Sequence, residues 1–222
     1  MRFFVLLFLV VSIGCGKSTE AVIDEYRPAI NRLRDQLKQI QDKIPQTAEN
    51  VTAELSPKLI LNEESPDHNC ETIMVSALQG DKGAIDLMLT TNLSTTLYWE
   101  NQAPSGGDQA FMKRVMDGAT KAKYLIVHRI DESQLPIAVS EQEFVAAPVR
   151  VDGFVFELDT LTIVASYVVE AIPAEQVSYT FKQNESAKDR LQAFAQSSVW
   201  SDARVKIAEA IVNSTGGEVR LR

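Results

Sequence analysis

Residues 144–171 read FVAAPVRVDGFVFELDTLTIVASYVVEA, and this stretch decides the fold. It is dense in Val, Ile, Phe and Tyr, which suit a pleated, half-buried surface. Asp152-Gly153 is a two-residue hairpin signal, and Asp159-Thr160 reads as a second turn. The pattern predicts strands over 144–151, 154–158 and 161–171. Tyr124–Ile130 precedes them as an apolar strand, and Val177–Phe181 follows as a fifth. Short turns between strands imply an antiparallel meander over about 123–181.

Helical patterns flank the meander. Between residues 20 and 45, Ile23, Tyr26, Ile30, Leu33, Leu37, Ile40 and Ile44 recur at heptad spacing, with Ser18 or Thr19 as cap and Pro45 beyond the end. Pro28 removes one backbone donor, which allows a later start near Arg27. Residues 46–71 read as a polar connector. Thr72–Trp99 reads as helix interrupted at 80–83, with Ile85, Met88, Leu89, Leu93, Thr96 and Leu97 on one face. Asp108 caps a helix over Gln109–Lys121 that turns Phe111, Val115 and Ala119 inward. Two further helices, Ser186–Ala195 and Asp202–Val212, close the chain at Gly216-Gly217. Helices, a meander and helices again give an α+β domain over 72–222, with helices on one face of the sheet.

The first residues are an address. Arg2 precedes an unbroken apolar run, Phe3–Val11, and the exit reads Ser12-Ile13-Gly14-Cys15. A bilayer-spanning helix needs about 20 apolar residues, so this shorter run fits the core of a secretory signal. Residues 1–15 resemble the bacterial lipoprotein signal, whose short lipobox ends in a small residue and an obligatory cysteine, here with Ser12 where Leu is commoner. The resemblance implies cleavage after residue 14, a thioether-linked diacylglycerol on Cys15, an acylated amine and a tether over 15–19. It places the domain on the bacterial cell envelope, held to the membrane by that lipid. Gly16 in place of Asp favours the outer membrane in a Gram-negative cell. Gly14-Cys15-Gly16-Lys17-Ser18 also looks like a phosphate-binding loop, but the required earlier glycine is Val11.

The chain has 22 Lys and Arg against 30 Asp and Glu, a net charge of −8. Residues 1–14 contain one charge, Arg2, so cleavage leaves −9. That balance excludes nucleic acid as an expected partner. It also opposes anionic headgroups, leaving the tether as the membrane hold. Of two cysteines, a lipidated Cys15 would leave Cys70 without an intramolecular partner.

Reactive side chains are sparse. Asp67-His68-Asn69-Cys70-Glu71 is the densest set. His68, Cys70 and His128 are weak candidates for a soft metal, because a closed zinc site needs four ligands. A Cys70–His128 nucleophile pair is a formal possibility. Glu157, Asp159 and Glu170 stand at strand ends, where they could face one another for acid–base work or calcium, although such charges are more often solvated turn residues. Trp99 and Trp200 read as helix-packing residues. No catalytic motif or cofactor is indicated. The expected role is therefore binding or structural; Ile30, Leu33, Leu37 and Ile40 either pack on the protein's own domain or form a candidate surface for a protein partner or self-association. The alternative is a periplasmic enzyme or small-ligand receptor whose site is assembled from dispersed residues.

Overall fold

The computed structural model describes residues 18–80, 89–104, 108–130, 135–178 and 186–221. Cys15 and its signal, Ile85, Met88, and most of the expected Val177–Phe181 strand lie outside them; Val177 and Ser178 are not in a strand. In chain order the elements are α1 (Thr19–Gln41), β1 (Ile60–Leu61), β2 (Cys70–Met74), α2 (Val75–Leu78), α3 (Asn92–Asn101) and α4 (Gln109–Thr120). They continue as β3 (Tyr124–Ile130), β4 (Ile137–Ala138), β5 (Phe144–Val145), β6 (Val149–Glu157), β7 (Thr162–Ala171), α5 (Ala187–Thr215) and β8 (Glu218–Val219). This is an α+β protein with helices at both ends.

The main sheet has the order β2-β3-β6-β7. β3, β6 and β7 pair antiparallel, as the meander predicts, but β2 runs parallel to β3 with Cys70 opposite Tyr124. The sheet is therefore mixed. Parallel neighbours need a long crossover, and α2 to α4 occupy the connection.

Alternation along β3 sends its side chains to two cores. Tyr124 and Ile126 join Val151, Val155, Ala165 and Tyr167 against Val199, Ala203, Ile207 and Ile211 of α5. Leu125 and Val127 join Phe154 and Phe156 against Leu33, Leu37 and Ile40 of α1 and Leu93 of α3. Helices thus cover both faces, which corrects the one-faced arrangement expected from sequence.

Several element boundaries also differ. The stretch from Thr72 begins as strand, not helix: β2 buries Glu71 and Thr72 through side-chain hydrogen bonds, so its polar residues mask a central strand. Thr72 and Thr90 bond each other through their hydroxyls at 3.2 Å. Asp152-Gly153 is no turn; β6 runs straight through it. The actual hairpin reverses around Asp159 and Thr160. The two C-terminal helices are one helix, α5, ending at left-handed Gly216 with φ 63°. Leu191, Ala195, Val199, Ala203, Ile207 and Ile211 form a four-residue stripe that crosses the expected break.

α1 starts at Thr19, with Ser18 Oγ accepting from the Ala21 amide at 3.2 Å, and passes through Pro28. Pro28 faces solvent, while Val22 and Ile23 secure the first turns against Met112 and Met116. Residues 46–62 form a strap rather than a loose connector. Val51 bridges Ser166 on β7, and Ala53 N–H donates to Ser214 O at 2.8 Å. The strap thereby covers a strand edge that would otherwise be open to pairing.

Because Leu33 packs on the sheet, Leu33→Ala is expected to lower unfolding stability by about 2–5 kcal/mol. Urea denaturation checks this; a shift below about 0.5 kcal/mol, typical of surface positions, would contradict the packing.

Candidate functional site

The histidine and cysteine candidates fall into two places, one sealed in the core and one beneath an open cleft. His128 lies in β3 with its side chain in the α5-facing layer, and its Nε2 is 2.7 Å from the Tyr167 hydroxyl. Tyr167 arrives from β7 by lying across Gly153 of the intervening strand. A Cβ at Gly153 would sit 2.2 Å from two Tyr167 ring carbons. The glycine is thus required by close approach, which explains its presence inside a strand.

His128 is fully buried, and burial lowers its pKa from 6.5 to about 4. Its Nδ1 has no hydrogen-bond partner among the described residues. Burial likewise pushes the Tyr167 phenol and the Cys70 thiol well above their ordinary values. A thiol held protonated is a poor nucleophile and a poor metal ligand. Cys70 pairs with Tyr124, whereas Met74 pairs with His128, so Cys70 and His128 stand four residues apart along the sheet. At about 3.3 Å per residue, they do not meet as a nucleophile and base.

His68 and Glu71 lie beneath the cleft. Glu71 is buried, and Oε1 accepts from His68 Nε2 at 2.8 Å and Asn92 Nδ2 at 3.2 Å. Its Oε2 accepts from the Leu93 amide at 3.3 Å. The Asn62 amide donates to His68 Nδ1 at 3.2 Å. Both ring nitrogens of His68 are thus engaged, Nδ1 by the Asn62 amide and Nε2 by the Glu71 carboxylate. Glu63 adds a second carboxylate, accepting from the Thr91 amide at 2.5 Å and the Asn92 amide at 3.0 Å. Two carboxylates therefore satisfy amides that the first turn of α3 leaves unpaired. Asn69 knits the same loop, accepting from Ile60 N–H at 2.8 Å and donating to Lys58 O at 2.9 Å. The segment richest in reactive side chains is thus a structural knot.

Above this knot lies a cleft of about 600 Å³, lined by Glu63, His68, Asn92, Lys113, Arg114 and Lys121 among others. Its charges are mixed, and Lys121 is held by Asp117 at 2.9 Å. Among the described residues, no three His, Cys, Asp or Glu side chains gather as metal ligands.

The strand-end carboxylates do not converge. Glu157 lies 3.5 Å from Lys123 Nζ, and Asp159 lies 3.3 Å from Arg32. Glu170 pairs with Arg150 near the opposite end of the hairpin. Asp152, read from sequence as a turn residue, instead accepts from the Ala48 amide at 3.2 Å and from Arg150 Nε at 2.8 Å, which anchors the strap. Ile30, Leu33, Leu37 and Ile40 all pack into the domain's own interior. Trp99 is half-buried beside Phe111, and Trp200 packs against the α5-side core. Phe111 itself, expected inward, is 45% exposed; Met112 and Met116 take the inward positions.

Compared with known proteins, the chain matches no family model and no curated protein.

Two measurements follow from the sealed pair. The unfolded chain binds a proton on His128 below pH 6.5, whereas the folded chain does so only near pH 4. Stability from this residue is complete above the upper value and falls as pH drops, by about 3 kcal/mol in total. Urea unfolding at several pH values is expected to show a shallower acid loss in His128→Gln; an unchanged slope would contradict the assignment. Gly153→Ala is expected to cost about 1–3 kcal/mol through overpacking against Tyr167, and wild-type stability in that variant would exclude the close approach.

Proposed function

We propose that this chain is a bacterial cell-envelope lipoprotein whose α+β domain has a binding or structural role rather than a catalytic one. The observation that carries the reading is the apolar run Phe3–Val11 ending at Gly14-Cys15. Only Gly16, Lys17 and Ser18 separate that cysteine from the first residue of α1. No helix among the described residues is long and apolar enough to cross a membrane. The lipid on Cys15 is the proposed anchor; it would hold the domain outside the cytoplasm, on the outer membrane if the cell is Gram-negative. Support for a non-catalytic role comes from the chemistry of the fold. Cys70 and His128 are sealed in the core, Glu71 is committed to holding α3, and His68 is committed to Glu71. The acidic balance argues against nucleic acid.

A second reading, a small-ligand receptor, is favoured by the cleft above His68, whose volume falls within the usual range of ligand pockets. Native mass spectrometry of the purified protein separates the two. A retained small molecule supports the receptor, and a bare mass supports the binding or structural role.

Cys15→Ser is expected to abolish labelling by a fatty-acid analogue and to release the protein from membranes. A mutant that stays in the membrane fraction would refute lipidation as the anchor.

A further inference from the structure

We infer that the end of the helical layer nearest the tether rests in the lipid interface, with Trp99, Phe111 and Tyr98 as its contact residues. The inference depends on acylation of Cys15. Four residue steps separate Cys15 from Thr19, so an extended chain spans at most about 14 Å. An acylated cysteine therefore keeps the start of α1 close to the bilayer.

What stands at that end is unusual for a surface. α4 starts beside α1 and runs in the same direction: Glu25 faces Lys113 at 3.8 Å, and Tyr26 donates to Asp117 at 2.8 Å. The last turn of α3 meets the same place, where Glu20 and Ile23 share a hollow of about 370 Å³ with Trp99 and Ala103. Trp99 meets Phe111 edge to face, with ring centroids 6.0 Å apart. Phe111 is 45% and Tyr98 59% exposed. The Arg114 guanidinium lies 5.3 Å from the centre of the Phe111 ring.

Indole and phenol rings favour the membrane–water boundary, where an apolar body and a polar edge are both accommodated. An arginine over an exposed ring can keep its charge in the headgroups while its stem covers apolar surface. The neighbouring charges are mixed with an acidic excess, Glu20, Asp24, Glu25, Glu100 and Asp108 against Arg27, Lys113 and Arg114. That mixture suits zwitterionic headgroups better than anionic ones. A second copy of the chain is the competing occupant. The tether favours lipid, because it holds the patch at high effective concentration beside the membrane.

The chain has two tryptophans, so Trp200→Phe makes Trp99 the sole indole. The test uses the full, lipid-modified protein carrying that change, in phosphatidylethanolamine–phosphatidylcholine vesicles with brominated or unbrominated acyl chains. Flotation and intact mass are recorded on the same samples. The expected result is loss of Trp99 emission with brominated lipid only, and a smaller loss when Phe111→Asp is added. Wild-type protein gives a second readout: amide exchange slowed by vesicles across Tyr98–Ala103 and Gln109–Arg114. Lipid-bearing protein that floats with unquenched Trp99 and unchanged exchange overturns the docking and leaves the anchor intact. A chain without lipid on Cys15 overturns both. Protection that depends on protein concentration and not on bromine assigns the patch to a second copy and likewise overturns the docking.

Discussion

Burial of β3 on both faces is the constraint on which the rest of the molecule depends. β3 is paired on both sides, to β2 in parallel and to β6 antiparallel. Its backbone is thereby satisfied, and its alternating side chains have two interiors to fill. Tyr124 and Ile126 require α5, and Leu125 and Val127 require the layer of α1 and α3. Neither helical layer is optional once that strand exists, because an uncovered face would expose a continuous apolar surface. The strap follows from the same sheet. It closes the outer edge of β7 and is pinned by Arg150 and Asp152, which bond both backbone groups of Ala48.

This architecture also determines what the reactive groups can do. Histidine, cysteine and tyrosine within a doubly covered sheet lose water and hold their neutral forms. His128 and Tyr167 satisfy each other, and the space they need is provided by Gly153. The carboxylate of Glu71 remains buried because three donors meet it, one from His68 and two from the start of α3. These contacts organise the core and a helix terminus.

The parts of the fold legible in the sequence were those with one dominant periodicity. The α+β class, the seam of α1, the Asp108 cap and the β6–β7 hairpin all follow from apolar spacing and turn chemistry. The misread parts share a different cause: tertiary partners override local signals. Asp152-Gly153 has the local chemistry of a hairpin, yet Tyr167 needs that glycine within a strand. The unbroken alternation of Val149, Val151, Gly153 and Val155 was the available sign. β2 hides its identity because Glu71 and Thr72 are polar, and only their buried partners make them core residues. α5 looked like two helices because its middle is rich in Ser and Gln, but no glycine or proline interrupts its stripe. The structural role of Glu71 depends on His68, Asn92 and Leu93, and no spacing rule links all three. The exposed Phe111 was missed because a four-residue spacing fits two neighbouring helix faces equally well.

A central consequence is that α1 belongs to the folded unit and is not a free arm. Native-state amide exchange on the full chain tests this most directly. The account predicts that the Leu33–Ile40 amides of α1 and the Leu125–Val127 amides of β3 exchange through one shared global opening, with matching free energies and equal sensitivity to urea. Exchange of α1 through a separate, much lower-energy opening while β3 stays protected would contradict it.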